Sequence, residues 1–326
     1  MYNKLLLLAF ILLGVASGNA ADFNKAGRTA FQFLKIGIGA RPAALGEACV
    51  ANINNVDAAF WNSAALTNIE KFQAGFSYTN WFTDLKITSG ALGFRAPFGV
   101  FAVHYAALNY GNIEEALSVS TTNSEDTRTG NFFSGSDLVV GISFSRAYTD
   151  KLSIGVTAKY LREELFTFTN SLWAFDVGSY YHTGWKGIRL AMSAQNFAQQ
   201  ARWLHTKEEE QQSYELPLMF RLGWSIDLMG GSDLFLGGNP NQQFTFNMDA
   251  IHTNDYAERL HIGAEYVLYQ TIALRGGYRF NYEEGNLGLG IGLNYSVQNI
   301  QMQIDYAYVS YDFLDSPHRV SVLLEF

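Results

Sequence analysis

The stretch NLGLGIGLNY, residues 286–295, decides the fold, because its side chains alternate between two classes over its whole length. Large apolar residues stand at the odd positions, and glycine or asparagine stands at the even ones. Successive side chains of a β-strand point to opposite faces, whereas an α-helix returns to the same face only after about 3.6 residues. The stretch therefore predicts a strand with one apolar face.

The same alternation recurs along the chain from Lys71 to Phe326. We count about fourteen such segments of roughly ten residues, which is the length that a tilted strand needs to cross a bilayer. The segments begin near Phe72, Lys86, Phe98, Asp137, Lys151, Leu172, Gly187, Glu215, Gln242, Glu258, Thr271, Asn286, Asn299 and Pro317. The sequence thus predicts an all-β fold, a transmembrane antiparallel up-and-down β-barrel of about fourteen strands over residues 71–326. An even number of strands places both termini of the barrel chain on the periplasmic side.

The connections between these segments support a barrel in the outer membrane. Tight turns such as APFG (96–99) and YTDK (148–151) alternate with long polar connections at 111–136 and 198–213. Short periplasmic turns and longer outer loops are typical of such barrels. One connection, at 228–243, is long although it falls on the short-turn side, and it leaves the count open by two strands.

Soluble β-sandwiches and propellers also show a two-residue period, so the alternation alone leaves them as alternatives. Three features favour the barrel. Aromatic residues cluster near the segment ends, the chain ends on a strand, and the polar face is too charged for a packed core. The charged positions are Arg189, Arg221, Asp249, Arg259, Glu265, Arg275, Arg279 and Asp305. We expect the last strand to pair with the first, and the terminal Phe326 resembles the insertion signal of outer-membrane barrels.

The first twenty residues are interpreted as a secretory signal peptide, because an apolar run from Leu5 to Val15 is followed by small residues. The chain's one cysteine, Cys49, lies too far along for a lipid anchor and is expected to be a small buried hydrophobe. Residues 21–70 do not alternate and have helical spacing. We expect this segment to be a short helical or irregular plug inside or under the barrel, held by paired lumen charges; a selectivity ring is the alternative role for those charges.

Several motifs in order resemble the PorV/PorQ group of the FadL-like outer-membrane proteins. They include FLKIGIGARPAALGEA (33–48), NNVDAAFWNSAAL (54–66), ELPLMFRLG (215–223) and ALRGGY (273–278). The motif residues of the plug are Gly37, Gly39, Arg41, Gly46, Asp57, Trp61 and Asn62. Ser63 and Ala65 stand where the family pattern W-N-P-A-G-L has proline and glycine.

The resemblance implies a component or shuttling adaptor of type IX-like protein secretion. Its partners would be outer-membrane lipid, secretion-machinery proteins and cargo with C-terminal sorting domains. The candidate loop contacts are Trp203, Leu204, Tyr311, Phe313 and Leu314. The alternative is FadL-like passive transport of a hydrophobic ligand, which needs an apolar groove near the outer loops, a movable plug and a lateral opening in the wall. The charged polar face favours secretion over this alternative.

Other functional classes are disfavoured. The formal net charge of −8 argues against binding nucleic acid. The six histidines are scattered and none lies in a nucleophile-elbow or zinc motif, so we expect no enzyme, no cofactor and no metal site. The acidic run at 208–210 is interpreted as a solvated loop.

Overall fold

The structure is a computed structural model that describes residues 27–116, 128–202 and 213–326. The predicted signal peptide and the candidate contacts Trp203 and Leu204 lie outside these ranges. Fourteen of the strands in the described ranges form one closed barrel, as predicted. The barrel strands are β1 (Phe72–Asn80), β2 (Lys86–Ala96), β3 (Gly99–Asn109), β6 (Gly135–Ala147), β7 (Leu152–Leu165), β8 (Phe168–His182), β9 (Ile188–Ala198), β12 (Met219–Met229), β13 (Gln242–Thr253), β14 (Arg259–Leu268), β15 (Ile272–Phe280), β16 (Leu287–Val297), β17 (Ile300–Val309) and β18 (His318–Glu325).

Neighbouring barrel strands pair antiparallel, and the last strand closes the barrel against the first. In the β1–β18 register Ser77 lies opposite Ser321. The backbone N–H of Phe326 donates to the carbonyl oxygen of Phe72 at 3.0 Å, and the two rings lie 5.5 Å apart. The terminal strand therefore has no free edge, as expected for a closed sheet.

Two short hairpins lie within the long connections, β4 (Ile113–Ala116) with β5 (Arg128–Phe133) and β10 (Ala201–Arg202) with β11 (Ser213–Tyr214). The connection between β12 and β13 adds no barrel strand, so the count of fourteen is confirmed. Two predicted starts were displaced, since β8 begins four residues before Leu172 and β12 begins at Met219. Glu215, the predicted start, forms only an isolated parallel bridge with Thr29.

The outer surface of the barrel is an apolar belt. On β16 the leucine and isoleucine side chains of 287–293 are 43–49% exposed, while the glycines between them face the lumen. This is the alternation expected of a barrel in lipid. No helix in the described ranges is long and apolar enough to cross a membrane.

Residues 27–70 lie inside the barrel and form its core. They contain 3₁₀ turns at Gln32–Lys35 and Ser63–Asn68 and short helices at Ala40–Ala44 and Ala58–Trp61. Cys49 is free and fully buried, as expected. We call residues 27–70 the plug, the barrel end with the short turns the periplasmic end, and the opposite end the outer end.

Candidate functional site in the barrel lumen

The plug is held to one side of the lumen by buried ion pairs. Arg41 donates from Nε and Nη2 to the two carboxylate oxygens of Glu265, both at 2.9 Å. Glu265 also accepts from Arg275, which reaches Asp305 at 2.6 Å. A further pair joins Glu47 of the plug to Arg279 of β15 at 3.1 Å. The lumen charges on β14, β15 and β17 therefore hold the plug, which is the first of the two roles expected for them.

Glycines let the plug backbone lie directly on the wall. Gly46 has φ +61°, and a Cβ there would lie 2.6 Å from the backbone nitrogen of Tyr278. From the wall side, a Cβ on Gly277 would lie 2.0 Å from the carbonyl carbon of Leu45. Gly37 is equally enclosed, by Glu47 and Trp61, and its carbonyl oxygen accepts from Arg319. Gly39, at φ +96°, precedes the Ala40–Ala44 helix in a conformation that favours glycine.

The other motif residues fix the second half of the plug. The indole N–H of Trp61 donates to the carbonyl oxygen of Ile38 at 3.0 Å. Asn62 accepts from the backbone N–H of Ala64 at the start of the Ser63–Asn68 turn. This turn forms without the proline and glycine of the family pattern. Burial, with a smaller contribution from the carboxylate of Asp305, raises the pKa of Asp57 to about 6.

The opposite side of the lumen is apolar near the outer end. Inward-facing side chains at the outer parts of five consecutive strands pack against the start of the plug. They are Ile87 on β2, Ala106 and Leu108 on β3, Val139 on β6, Leu161 on β7 and Ala174 on β8. Phe31 and Phe33 of the plug fill the space between them. This apolar surface lies on β2 to β8, whereas the charged residues that the sequence singled out lie on β9 to β17. Charged side chains face the lumen on β7 and β8 as well, at Lys159 and Asp176.

The pairing of β8 with β9 is irregular where this apolar surface ends. Phe175 pairs with Phe197, but Val177 pairs with Ala194, so one residue of β8 lies opposite two residues of β9. The extra residue, Asn196, has φ +70° and donates its backbone N–H to Asp176 at 2.8 Å. This is a β-bulge, a feature common at barrel rims and functional sites. The sequence pattern did not predict this bulge, although the outward aromatic Phe197 is out of phase with Leu190 and Met192 on the same strand.

A polar cluster holds the bulge closed. Lys159 on β7 contacts Asp176 at 2.9 Å and Asn196 at 2.6 Å. The side-chain amide of Asn196 donates to the carbonyl oxygen of Pro217 at 2.8 Å. Three adjacent strands and the start of β12 are thereby linked at one point.

Two of the cavities that adjoin the plug differ in their lining. A cavity of about 60 Å³ lies behind the bulge, between Phe33, Phe60, Trp61 and Val139. A larger one of about 520 Å³ lies on the periplasmic side and is lined by amides such as Asn55, Gln73 and Gln301. The polar cavity suits water, whereas the small one joins the apolar surface to the bulge.

The candidate loop contacts in the described ranges differ in how far they are exposed. Tyr311 packs edge-on against Trp81 at 6.1 Å, and Leu314 is 43% exposed. Phe313 is 91% exposed, at the outer end between β17 and β18. Of the three candidates that lie in the described ranges, Phe313 and Leu314 are therefore exposed enough to contact a partner.

Comparisons with known proteins identify the fold. No family model matches the chain, and no curated protein matches it. Among solved structures, the toluene transporter TbuX of Ralstonia pickettii covers 88% of this chain and 97% of its own, with 14% identity and a TM-score of 0.59. The toluene transporter TodX of Pseudomonas putida has the same coverage, with 12% identity and a TM-score of 0.58. The chain thus shares the barrel fold of these two transporters, and this likeness does not confirm the PorV/PorQ family.

Proposed function

We propose that this chain is a non-enzymatic outer-membrane transporter that lets a hydrophobic small molecule cross passively. One observation carries the proposal: the apolar surface on β2 to β8 runs from the outer loops to the bulge at Asn196. Such a surface gives a hydrophobic molecule apolar contacts from the outer end as far as the bulge, where the polar cluster around Lys159 separates it from the bilayer. The two similar structures are of toluene transporters, which fits a ligand of this class.

The arrangement suggests a route. A hydrophobic molecule would enter from the outer loops and displace Phe31 and Phe33, which occupy the apolar surface. It would leave sideways at the bulge once the Lys159 contacts open. The cavity on the periplasmic side is lined mainly by amide and charged side chains, with few apolar residues such as Val267 and Leu323, and the ion pairs of the plug close that direction.

An uptake assay tests the proposal. The chain is expressed in a host that lacks transporters of this type, and entry of radiolabelled toluene is compared with entry in cells that carry an empty vector. We expect faster toluene entry and unchanged entry of a polar solute of similar size. Toluene entry equal to the empty-vector rate, with the folded barrel present in the outer membrane, would exclude the proposal.

Type IX-like secretion is the second candidate. Its structural support is the exposure of Phe313 and Leu314, because exposed apolar loop residues are suited to contact a protein partner. Deleting the gene and comparing secreted proteins by mass spectrometry tests it. Periplasmic accumulation of proteins that share a C-terminal domain would support secretion, and an unchanged secreted set would exclude it.

A further inference from the structure

Arg221, on β12, is a buried cation without a carboxylate partner. Its side chain faces the lumen, and the residue is 4% exposed. Other buried arginines of the described chain form ion pairs, namely Arg41, Arg275 and Arg279. Arg319 also lacks a carboxylate but donates to the carbonyl oxygen of Gly37. A buried charge without a partner is costly, so the surroundings of Arg221 need an explanation.

The contacts of Arg221 are all with neutral groups. Nη1 donates to the side-chain oxygen of Gln195 at 2.8 Å, and the guanidinium lies 4.8 Å from the ring centre of Trp61. Nε has no hydrogen-bond partner among the described residues. Asp249, on the neighbouring strand, accepts the backbone N–H groups of Cys49 and Val50, both at 2.9 Å, and forms no ion pair with Arg221 in the described chain.

The cavity of about 60 Å³ adjoins this guanidinium. Lys159 also lines the cavity and pairs with Asp176, whereas Arg221 is a charged residue of the lining that contacts no carboxylate among the described residues. The imidazole Nδ1 of His104, another lining residue, has no hydrogen-bond partner among the described residues. The cavity therefore combines a buried cation that contacts no carboxylate with unsatisfied polar atoms.

The size of the cavity limits what it can hold. One water needs about 10–15 Å³ of such volume, and a cavity that binds benzene measures about 150 Å³. The space beside Arg221 is thus large enough for a small ion and too small for an aromatic hydrocarbon unless the plug moves. A small anion would neutralise Arg221 and offset the cost of burying it.

We propose that Arg221 and this cavity form a binding site for one monovalent anionic group. That group is either a free small anion such as a halide, or the carboxylate end of a larger ligand whose apolar part displaces Phe33. The site does not depend on the proposed transport, because the anion can bind whether or not the barrel carries a hydrophobic molecule.

Stability measurements on the purified full chain in detergent test the site. The unfolding temperature is followed at constant ionic strength while bromide replaces gluconate, which is too large for the cavity. We expect a rise that saturates with bromide concentration, because a ligand that binds only the folded state stabilises it. Arg221→Gln should abolish the rise. Arg189→Gln, which removes a charge paired with Asp227, should lower stability and keep the rise.

Two further measurements separate the sources of the anion and guard against a variant that fails to fold. Crystals of the wild-type chain soaked in bromide should show an anomalous peak beside Arg221, and Arg221→Lys should retain weakened binding. Stabilisation by hexanoate that competes with bromide would assign the site to the acid end of a ligand, and bromide binding alone would assign it to a free anion. Neither bromide nor hexanoate stabilisation, together with no anomalous peak, would overturn the proposal and leave water as the occupant.

Discussion

Gly277 has no space for a side chain, because its Cβ would lie 2.0 Å from the plug backbone at Leu45. We predict that Gly277→Ala displaces the plug and lowers the free energy of unfolding by about 1–3 kcal/mol, the usual cost of overpacking. The neighbouring Gly276 has only the side chain of Leu289 nearby, at 3.6 Å, so Gly276→Ala is the matched control. The temperature at which the folded band disappears on an SDS gel measures both. Equal effects of the two variants would contradict the close approach of plug and wall.

Asp57 should make stability depend on pH. Its pKa is about 6 in the folded barrel against 3.8 ordinarily, so folding favours the protonated carboxyl. The stabilisation from this proton is fully present below about pH 4 and is lost as the pH rises through 6. Its loss lowers the free energy of unfolding by at most about 3 kcal/mol. We predict that Asp57→Asn removes this part of the pH dependence in urea unfolding between pH 4 and 7. The control is Asp84→Asn, at an exposed position, which should keep the wild-type dependence of stability on pH. The same dependence in Asp57→Asn would contradict its assignment to Asp57.

The ion pairs hold the plug as a whole element. Glu265 on the wall pairs with Arg41 of the plug and with Arg275 of the neighbouring strand. Removing one partner of a buried pair typically costs about 3–5 kcal/mol. We predict that Glu265→Gln loosens the plug and produces transient openings in planar-bilayer conductance, where the wild type is quiet. Glu164→Gln breaks an exposed pair with Arg162, worth at most about 1 kcal/mol, and should leave the barrel closed. A quiet Glu265→Gln barrel would show that glycine packing alone holds the plug.

The bulge between β8 and β9 can be tested with a reversible crosslink. Phe175 and Phe197 are direct partners on the outer face, so cysteines at both positions, with Cys49→Ala, can form a disulfide across the wall. We predict that oxidation stops toluene uptake and that reduction restores it. A disulfide between cysteines at Leu293 and Ile304, which are direct partners on β16 and β17, should leave toluene uptake unchanged. Uptake that survives the first crosslink would place the exit elsewhere.

The strands were predictable from sequence, but the contacts between plug and wall were not. Two-residue alternation is a local signal, and the stretch 286–295 shows it without interruption. The pairing of Arg41 with Glu265 joins positions 224 residues apart, and no local period records it. Likewise, Ile87, Val139 and Leu161 each look like ordinary inward residues, and only closure of the barrel shows that they share one apolar surface.

At the scale of the whole molecule, the lumen has two sides with different tasks. The ion pairs of β14 and β15 hold the plug at Arg41 and Glu47, whereas Phe31 and Phe33 pack on the apolar side. The first plug residues are also held by Lys35 to Asp255 at 2.6 Å and by the backbone N–H of Phe31, which donates to Glu163. The start of the plug is therefore the part that a hydrophobic ligand can displace without breaking ion pairs on β14 and β15.

Deleting residues 27–38 tests this division, because it empties the apolar side and leaves the ion pairs of the remaining plug intact. We predict faster entry of hydrophobic probes larger than toluene, with no gain in sensitivity to a large polar antibiotic. Deleting 27–70 removes the ion-paired part as well and should raise that sensitivity sharply. If the short deletion already admits the antibiotic, the first plug residues seal the barrel against water, and the two sides of the lumen do not act separately.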